Sequence, residues 1–150
     1  MQSPPLVIDT NVVLDLWVFQ DEAALPLAQA LGQRAWRWLA TAEMREELRR
    51  VLDYPHLAAR IAARGDTAQG LMDRYDAHVE GVAVAAKAPY TCKDADDQKF
   101  IDLAVAHRAP LLSKDAAVLT MKRRLLGLGV PVAPSLAKLQ ALLDSGLLQQ

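Results

Sequence analysis

Short apolar runs alternate along the chain with amphipathic stretches of helical periodicity. The first run, Leu6–Ile8, is rich in β-branched residues and ends at Asp9, which is typical of a buried strand with an acid at its carboxyl end. Further strands are predicted at residues 36–40, 82–85, 110–113 and 130–133. Helices are predicted at about residues 12–17, 22–31, 42–52, 56–64, 67–80, 96–107, 115–126 and from 134 onwards. Because parallel strands require crossover connections, this alternation predicts a three-layer α/β fold with a central parallel sheet of about four to five strands.

Length and composition favour one folded domain over residues 1–150. A hydrophobic fraction of 52% beside 23% charged residues is ample for a packed core, which excludes a wholly disordered chain. No apolar run approaches the roughly 18–20 residues that a transmembrane helix needs, and the N-terminus lacks the basic region of a signal peptide. Cys92 is the only cysteine, which excludes an internal disulfide, and the three histidines share no close spacing, so a Cys/His zinc site is not expected. We therefore expect a cytoplasmic protein with no membrane association.

Acidic residues follow four of the predicted strands. Asp9 ends the first strand, and Asp115 comes shortly after the strand at 110–113. Asp94 and Asp97 begin the helix after the third strand, and Glu47 lies one turn into the helix after the second. Functional groups collect beyond the carboxyl ends of parallel strands, so these carboxylates are expected to converge. Converging carboxylates repel one another unless divalent cations lie between them, and ligation by oxygen alone favours Mg²⁺ or Mn²⁺ over zinc.

Each acid also has a purely structural interpretation. Asp115 would cap its helix, and Asp94 with Asp97 would form a helix start favoured by the macrodipole. Glu47 would be a solvated helix residue. Asp9 is harder to explain in this way, because a carboxylate directly after an apolar strand lies near the core and needs a partner. The coincidence of these positions at one sheet edge favours a metal site.

Four segments in chain order resemble the successive motifs of PIN-domain ribonucleases. They are residues 7–12 (VIDTNV), 47–52 (ELRRVL), 94–100 (DADDQKF) and 111–115 (LLSKD). The resemblance covers nearly the whole chain. It is greatest to the branch that comprises toxin components of bacterial toxin–antitoxin systems, related to VapC-type toxins. A lone Asp-Thr-Asn is a weak motif, whereas four ordered motifs at family-like intervals are a strong one.

The resemblance implies roles for individual residues. The catalytic, metal-binding acids of the family are matched by Asp9, Glu47, Asp97 and Asp115. Asp94 matches an additional metal-binding acid of this branch, and Asn11 and Ser113 match polar residues that support the first and last acids. Lys114 departs from the small or polar residue that is common beside the last acid. Asp96 adjoins Asp97, so whether Asp94 or Asp96 joins the metal shell stays open.

The same resemblance implies hydrolysis of RNA phosphodiester bonds with one or two Mg²⁺ or Mn²⁺ ions, a small antitoxin protein as partner, and a homodimer. Basic residues number 17 against 18 acidic ones, but setting the five site acids aside leaves a net charge of +4 elsewhere. Lys93, Lys114 and Arg49 are candidates for contacts with RNA phosphates. The basic run 122–124 is either an RNA-binding patch or, as is more common, a solvated helix face. Trp17, Trp36 and Trp38 would stack on bases or, as their apolar neighbours favour, pack in the core or a dimer interface.

Other functions fit less well. A phosphatase of the haloacid dehalogenase type needs a second carboxylate at position 11, where this chain has Asn. A receiver-type phosphoacceptor needs further acids beside Asp9, which Ile8 and Thr10 flank. The alternative that remains is a PIN-like fold that keeps its acids but serves as a non-catalytic RNA- or protein-binding module.

Overall fold

The computed structural model describes residues 2–146 of the chain. Its strands are β1 (Pro5–Ile8), β2 (Arg37–Ala40), β3 (Val79–Gly81), β4 (Leu111–Leu112) and β5 (Val132–Ala133). Its α-helices are α1 (Thr10–Trp17), α2 (Leu25–Gly32), α3 (Ala42–Leu52), α4 (Pro55–Ala63), α5 (Ala68–His78), α6 (Gln98–His107), α7 (Ala116–Leu119), α8 (Lys122–Leu126) and α9 (Leu136–Asp144). Short 3-10 helices, Glu22–Ala24 and Ala95–Asp97, precede α2 and α6. Within residues 2–146, no helix has the length and apolar character needed to span a membrane.

The described strands form one parallel sheet in the order β3-β2-β1-β4-β5. β1 is the central strand, with Pro5 opposite Arg37 of β2 and Val7 opposite Leu111 of β4. The connections between consecutive strands run through helices, which pack against the sheet. The predicted α/β fold with a central parallel sheet of four to five strands is therefore confirmed.

The core is built around β1, whose Leu6 and Val7 are completely buried. Trp38 of β2 is 1% exposed, and its ring lies 5.5 Å from that of Trp17 and 5.1 Å from that of Tyr75. Trp17 and Trp36 are partly buried against the same core. Packing therefore accounts for the environment of all three tryptophans, as their apolar neighbours in the sequence suggested.

The third strand differs from its predicted position at residues 82–85. It lies at Val79–Gly81 and pairs Val79 with Trp38. Helix α5 ends at His78, and the backbone is already extended at Val79 (φ −91°, ψ 137°), so the strand follows the helix without a turn. β3 is an edge strand with an exposed Glu80, and hydrophobicity therefore does not mark it. The more apolar run after it contains Val84, which is 65% exposed.

The predicted helix at residues 115–126 consists of two helices, α7 and α8. Between them Thr120 Oγ1 donates to the carbonyl of Ala117 at 3.1 Å. The Met121 NH donates to the carbonyl of Val118, three residues earlier, at 2.9 Å. Both bonds run to the carbonyl three residues earlier instead of four, so the α-helix is interrupted here. Met121, at the interruption, is buried in the core and is 2% exposed.

Candidate metal centre

The predicted site acids lie beyond the carboxyl ends of the central strands. The chain adds β2 and β3 on one side of β1 and then returns to add β4 and β5 on the other side. Such a reversal of strand order leaves a crevice at the carboxyl edge of a parallel sheet. Asp9 follows β1 directly, and Asp115 follows β4 and caps α7 through a hydrogen bond from the Ala117 NH at 2.9 Å.

Three aspartates bring carboxylate oxygens within 4.8 Å of one another: Asp94, Asp97 and Asp115. Asp97 is 8% exposed, and its Oδ2 is buried without a hydrogen-bond partner among the described residues. Opposite oxygens around an octahedral Mg²⁺ lie about 4.2 Å apart, because each Mg–O bond is about 2.1 Å long. The spacing of the three oxygens and the unsatisfied oxygen of Asp97 therefore fit a hard divalent cation.

The loop before α6 brings Asp94 into this group of three. Gln98 Oε1 accepts a hydrogen bond from the Cys92 NH at 2.6 Å, and Gln98 Nε2 donates to the Tyr90 carbonyl at 3.1 Å. The same Nε2 donates to Asp102 Oδ1, one turn further along α6, at 2.8 Å. These bonds attach the loop to the helix that begins directly after Asp97.

The 3-10 helix that contains Asp96 separates the carboxyl groups of Asp94 and Asp96. Asp94 Oδ1 accepts from the Asp96 NH at 3.0 Å and so caps that helix. Asp94 belongs to the converging group, whereas Asp96 is exposed and does not. Asp94 is therefore the acid of this pair that lies beside Asp97.

Ser113 joins Asp9 to Asp115. Ser113 is completely buried, and its Oγ donates to Asp9 Oδ2 at 2.7 Å and accepts from the Asp115 NH at 3.1 Å. Asn11 Oδ1 accepts from the Lys114 NH at 3.3 Å, which ties the start of α1 to the same loop. Both predicted supporting residues thus hold the loop after β4 against the end of β1.

Burial and mutual repulsion raise the pKa of two site carboxyl groups. The pKa of Asp9 is raised to about 6, mainly by burial, while the hydrogen bond from Ser113 opposes the rise and the charge of Glu47 adds to it. The pKa of Asp97 is raised to about 8, first by burial, then by the close approach of the Asp115 carboxyl group, which favours the protonated form, and by the charges of the neighbouring aspartates. A divalent cation would favour the ionised forms and so lower both pKa values.

Glu47 has a different environment from the aspartates. Its side chain is 15% exposed, and its Oε1 accepts from Lys99 Nζ at 2.9 Å. Its Oε2 accepts a hydrogen bond from Thr10 Oγ1. Neither Glu47 nor Asp9 is a member of the group whose oxygens converge, although the charge of Glu47 acts on Asp9. The acid predicted as a metal ligand is thus engaged by two protein donors.

Two of the predicted RNA contacts are engaged elsewhere. Arg49 donates to Glu46 at 2.9 Å on the exposed face of α3. Lys114 Nζ forms an ion pair with Asp15 Oδ2 at 2.5 Å. Lys93 is exposed and forms no ion pair with another residue of the described range, so its ammonium group is free to meet a phosphate.

The basic run 122–124 does not act as one surface. Lys122 and Arg123 line a groove of about 590 Å³ with mostly apolar walls beside β5. The guanidinium of Arg124 lies 5.6 Å from the ring of Tyr90 instead. None of the five site acids lines this groove.

Sequence reasoning missed three residues that support the site: Thr10, Gln98 and Lys99. All three lie inside or beside the motifs, since Thr10 follows Asp9 and the other two follow Asp97. Their proximity to the acids in sequence is the signal that would have identified them. The hydrogen bonds of Thr10 and Lys99 to Glu47 span 37 and 52 positions, so no local sequence pattern predicts them.

A family model described as PIN domain matches residues 5–116. This segment runs from the start of β1 to the first residue of α7, so it contains all five predicted acids of the site. No curated protein matches the chain.

Proposed function

The chain belongs to the PIN domain family, and from that membership and the arrangement of its acids we propose that it is a metal-dependent ribonuclease. PIN domains are generally metal-dependent nucleases. The observation that carries the proposal is Asp97 Oδ2, a buried carboxylate oxygen without a hydrogen-bond partner in residues 2–146, within a group of three aspartates. A buried carboxylate oxygen without a donor is costly, and a divalent ion would satisfy it.

The donor set supports Mg²⁺ or Mn²⁺ as the ion, because every candidate ligand atom is a carboxylate oxygen. Asp94, Asp97 and Asp115 would hold it. Asp9 lies outside this group of three but is linked to Asp115 through Ser113, and we assign it as a further ligand. When bound, such an ion activates water for in-line attack on a phosphodiester and stabilises the leaving oxygen. The protein's own part is to keep these oxygens in a crevice at the sheet edge, where the phosphate can approach them.

Two observations support RNA as the substrate. The four ordered motifs resemble those of PIN-domain ribonucleases, and the residues outside the five acids carry a net charge of +4. Lys93 precedes Asp94, and it is exposed and forms no ion pair with an acid within residues 2–146. It is therefore the cation that we assign to a substrate phosphate beside the metal.

The test is cleavage of a fluorogenic single-stranded RNA by the purified protein. We expect cleavage with Mg²⁺ or Mn²⁺ and none with excess EDTA. Asp97→Asn should lower turnover by about 100-fold while RNA affinity is largely retained, because the amide does not balance the charge of the metal. Asp144→Asn is the matched control, since it removes an exposed acid of α9 with the same change in charge, and its turnover should equal that of the wild type.

Binding of RNA without metal-dependent cleavage would contradict the proposal. That result would support the alternative function, a non-catalytic module that binds RNA or protein.

We further propose that the protein is the toxin component of a toxin–antitoxin system, works in the cytoplasm and forms a homodimer. The resemblance to the branch related to VapC-type toxins supports this role. An acidic metal pocket is also a natural docking site for an Arg or Lys side chain of a small inhibitor, whose charge would mimic that of the cation.

A further inference from the structure

The contacts of Glu47 bear on how many ions the metal centre holds, a question that presupposes the proposed function. Both carboxylate oxygens of Glu47 already accept from the protein: Oε1 from Lys99 Nζ at 2.9 Å and Oε2 from Thr10 Oγ1. The three residues come from separate elements, because Thr10 begins α1, Glu47 lies in α3 and Lys99 in α6. A carboxylate held from both sides in this way has no oxygen without a protein donor to offer a metal.

Lys99 is also held by more than one partner. Its Nζ donates to the carbonyl of Asp96 as well as to Glu47, and it lies 5.0 Å from the centre of the Phe100 ring. The side chains of Lys99 and Glu47 are 21% and 15% exposed. For comparison, the exposed pair of Arg49 and Glu46 is 50% and 52% exposed, and solvent screens such pairs strongly. The pair of Lys99 and Glu47 is therefore a partly buried part of the site rather than a surface contact.

The position of Lys99 matters because of the charges around it. The charge of Glu47 acts on Asp9, and neither acid belongs to the group of Asp94, Asp97 and Asp115, so a second ion would have to be held by these two acids. Two metal ions in such centres lie about 3.5–4 Å apart, so a second ion would have to approach the Glu47 oxygens. The ammonium group of Lys99 is already there, and it would repel that ion.

We propose that Lys99 supplies the positive charge that a second divalent ion would otherwise supply. The centre then binds one Mg²⁺ or Mn²⁺ through its aspartates. Glu47 is a positioning residue that fixes Lys99 and Thr10 across the site, and it is not a metal ligand. Its assignment among the metal-binding acids, which the resemblance implied, does not hold for this chain under the proposal.

The experiment measures Mn²⁺ binding to the full-length protein by electron paramagnetic resonance of free Mn²⁺ and by calorimetry. The wild type should bind one ion per chain. Glu47→Gln should also bind one ion, because no direct ligand is removed. Its affinity should be at most about fivefold lower than that of the wild type, because the positive charge of Lys99 is then unpaired. Asp97→Asn should lose about 100-fold in affinity, because a direct ligand is removed.

Lys99→Met tests whether the charge of Lys99 takes the place of a second metal ion. Freed of its cation, Glu47 should take part with Asp9 in binding a second Mn²⁺, so the number of ions per chain should rise from one to two. Lys99→Arg keeps the charge and should bind one ion. Lys114→Met is the matched control, because it removes another lysine that is paired with a largely buried acid, Asp15, and it should leave the number at one.

Several results would overturn the inference. Two ions bound to the wild type, with one lost in Glu47→Gln, would make Glu47 a metal ligand. One ion in Lys99→Met would show that Lys99 does not determine the number of ions. If Lys99→Met does not fold, the number of ions in the wild type and in Glu47→Gln still decides the role of Glu47. Failure of the proposed function gives a different result: without a metal site the wild type would bind no Mn²⁺ at all, and without catalysis it would bind Mn²⁺ but leave RNA uncleaved.

Discussion

At the scale of single residues, the carboxyl group of Asp97 lies among other aspartates with 8% of the residue exposed. In the metal-free protein its pKa of about 8 means that it keeps its proton up to that pH, mainly because burial disfavours the charge. The unfolded chain loses the same proton near pH 4. Between these two values the folded state therefore binds more protons than the unfolded state, and the free energy of unfolding must fall as pH rises.

This difference predicts the pH dependence of stability without metal. In EDTA, the wild type should be less stable at pH 8 than at pH 5, and Asp9, with its pKa of about 6, should contribute over the lower part of that range. Asp97→Asn does not ionise at this position, so the decline should be smaller and the variant should exceed the wild type in stability at pH 8. Urea denaturation at a series of pH values measures both quantities.

With Mg²⁺ or Mn²⁺ bound, the wild type should become more stable at pH 8 than Asp97→Asn. The ion favours ionised carboxylates and stabilises the folded state by mass action, so it should raise the melting temperature of the wild type at pH 8 and much less that of Asp97→Asn. An equal response of wild type and variant to metal would contradict a shared site at Asp97.

At the scale of elements, α6 organises the site from one side. Its first turn carries Gln98, which attaches the preceding loop through Cys92 and Tyr90, and Lys99, which reaches Glu47 in α3. The helix is anchored by Phe100 and Ile101, which are at most 1% exposed. The packing of α6 against the core thus fixes the position of the loop that carries Asp94.

Loss of the Gln98 side chain should affect the metal more than the fold. In Gln98→Ala the Cys92 NH loses its acceptor, and we expect the free energy of unfolding to fall by about 1–2 kcal/mol. Because the loop then holds Asp94 less firmly, the affinity for Mn²⁺ should fall by about 10-fold. Gln69→Ala is the control, since it removes an exposed glutamine that donates to Asp73 within α5, and it should bind Mn²⁺ like the wild type. Unchanged Mn²⁺ affinity in Gln98→Ala would show that the loop does not depend on this anchor.

At the scale of the whole molecule, the proposed toxin role predicts two kinds of association. Multi-angle light scattering should give the mass of a homodimer, and a strictly monomeric protein at high concentration would contradict that part of the proposal. Co-expression with the product of the adjacent gene should yield a complex with no nuclease activity, because a basic side chain of the partner would fill the acidic pocket. Full activity in a stable complex would contradict the inhibitor and leave the ribonuclease proposal intact.

The Trp17–Phe19 and Trp36–Trp38 segments, whose apolar residues would suit a dimer interface, are largely used for packing within the chain. Trp38 is a core residue, and Trp17 packs against it. The guanidinium of Arg60 lies 4.9 Å from the centre of the Phe19 ring. Large apolar side chains that are exposed in the described part of the chain lie elsewhere, at Leu25, Tyr54 and Val84. An interface that buries apolar surface is therefore expected to involve these positions rather than the Trp36–Trp38 segment.

The alternation of apolar runs and amphipathic stretches was enough to predict the α/β fold and its parallel sheet. Both patterns are local, since burial on two faces makes a strand continuously apolar and burial on one face gives a helix its periodicity. The same local pattern located Asp9 and Asp115, because each follows an apolar strand directly or within three residues. It misplaced β3, because an edge strand with an exposed glutamate has no hydrophobic pattern to detect.

The tertiary structure alone decided which side chains meet. Glu47 and Lys99 are 52 positions apart, and their ion pair depends on how α3 and α6 are rotated against the sheet. The separation of Asp94 from Asp96 depends on one short 3-10 helix, and the engagement of Lys114 depends on the position of Asp15 in α1. Helix rotation is set by the packing of whole apolar faces in the core, so it involves many residues at once. A local pattern therefore identifies the acids that lie at the sheet edge. Only the packing of the whole molecule determines whether each carboxylate pairs with a lysine or converges with other carboxylates on a metal site.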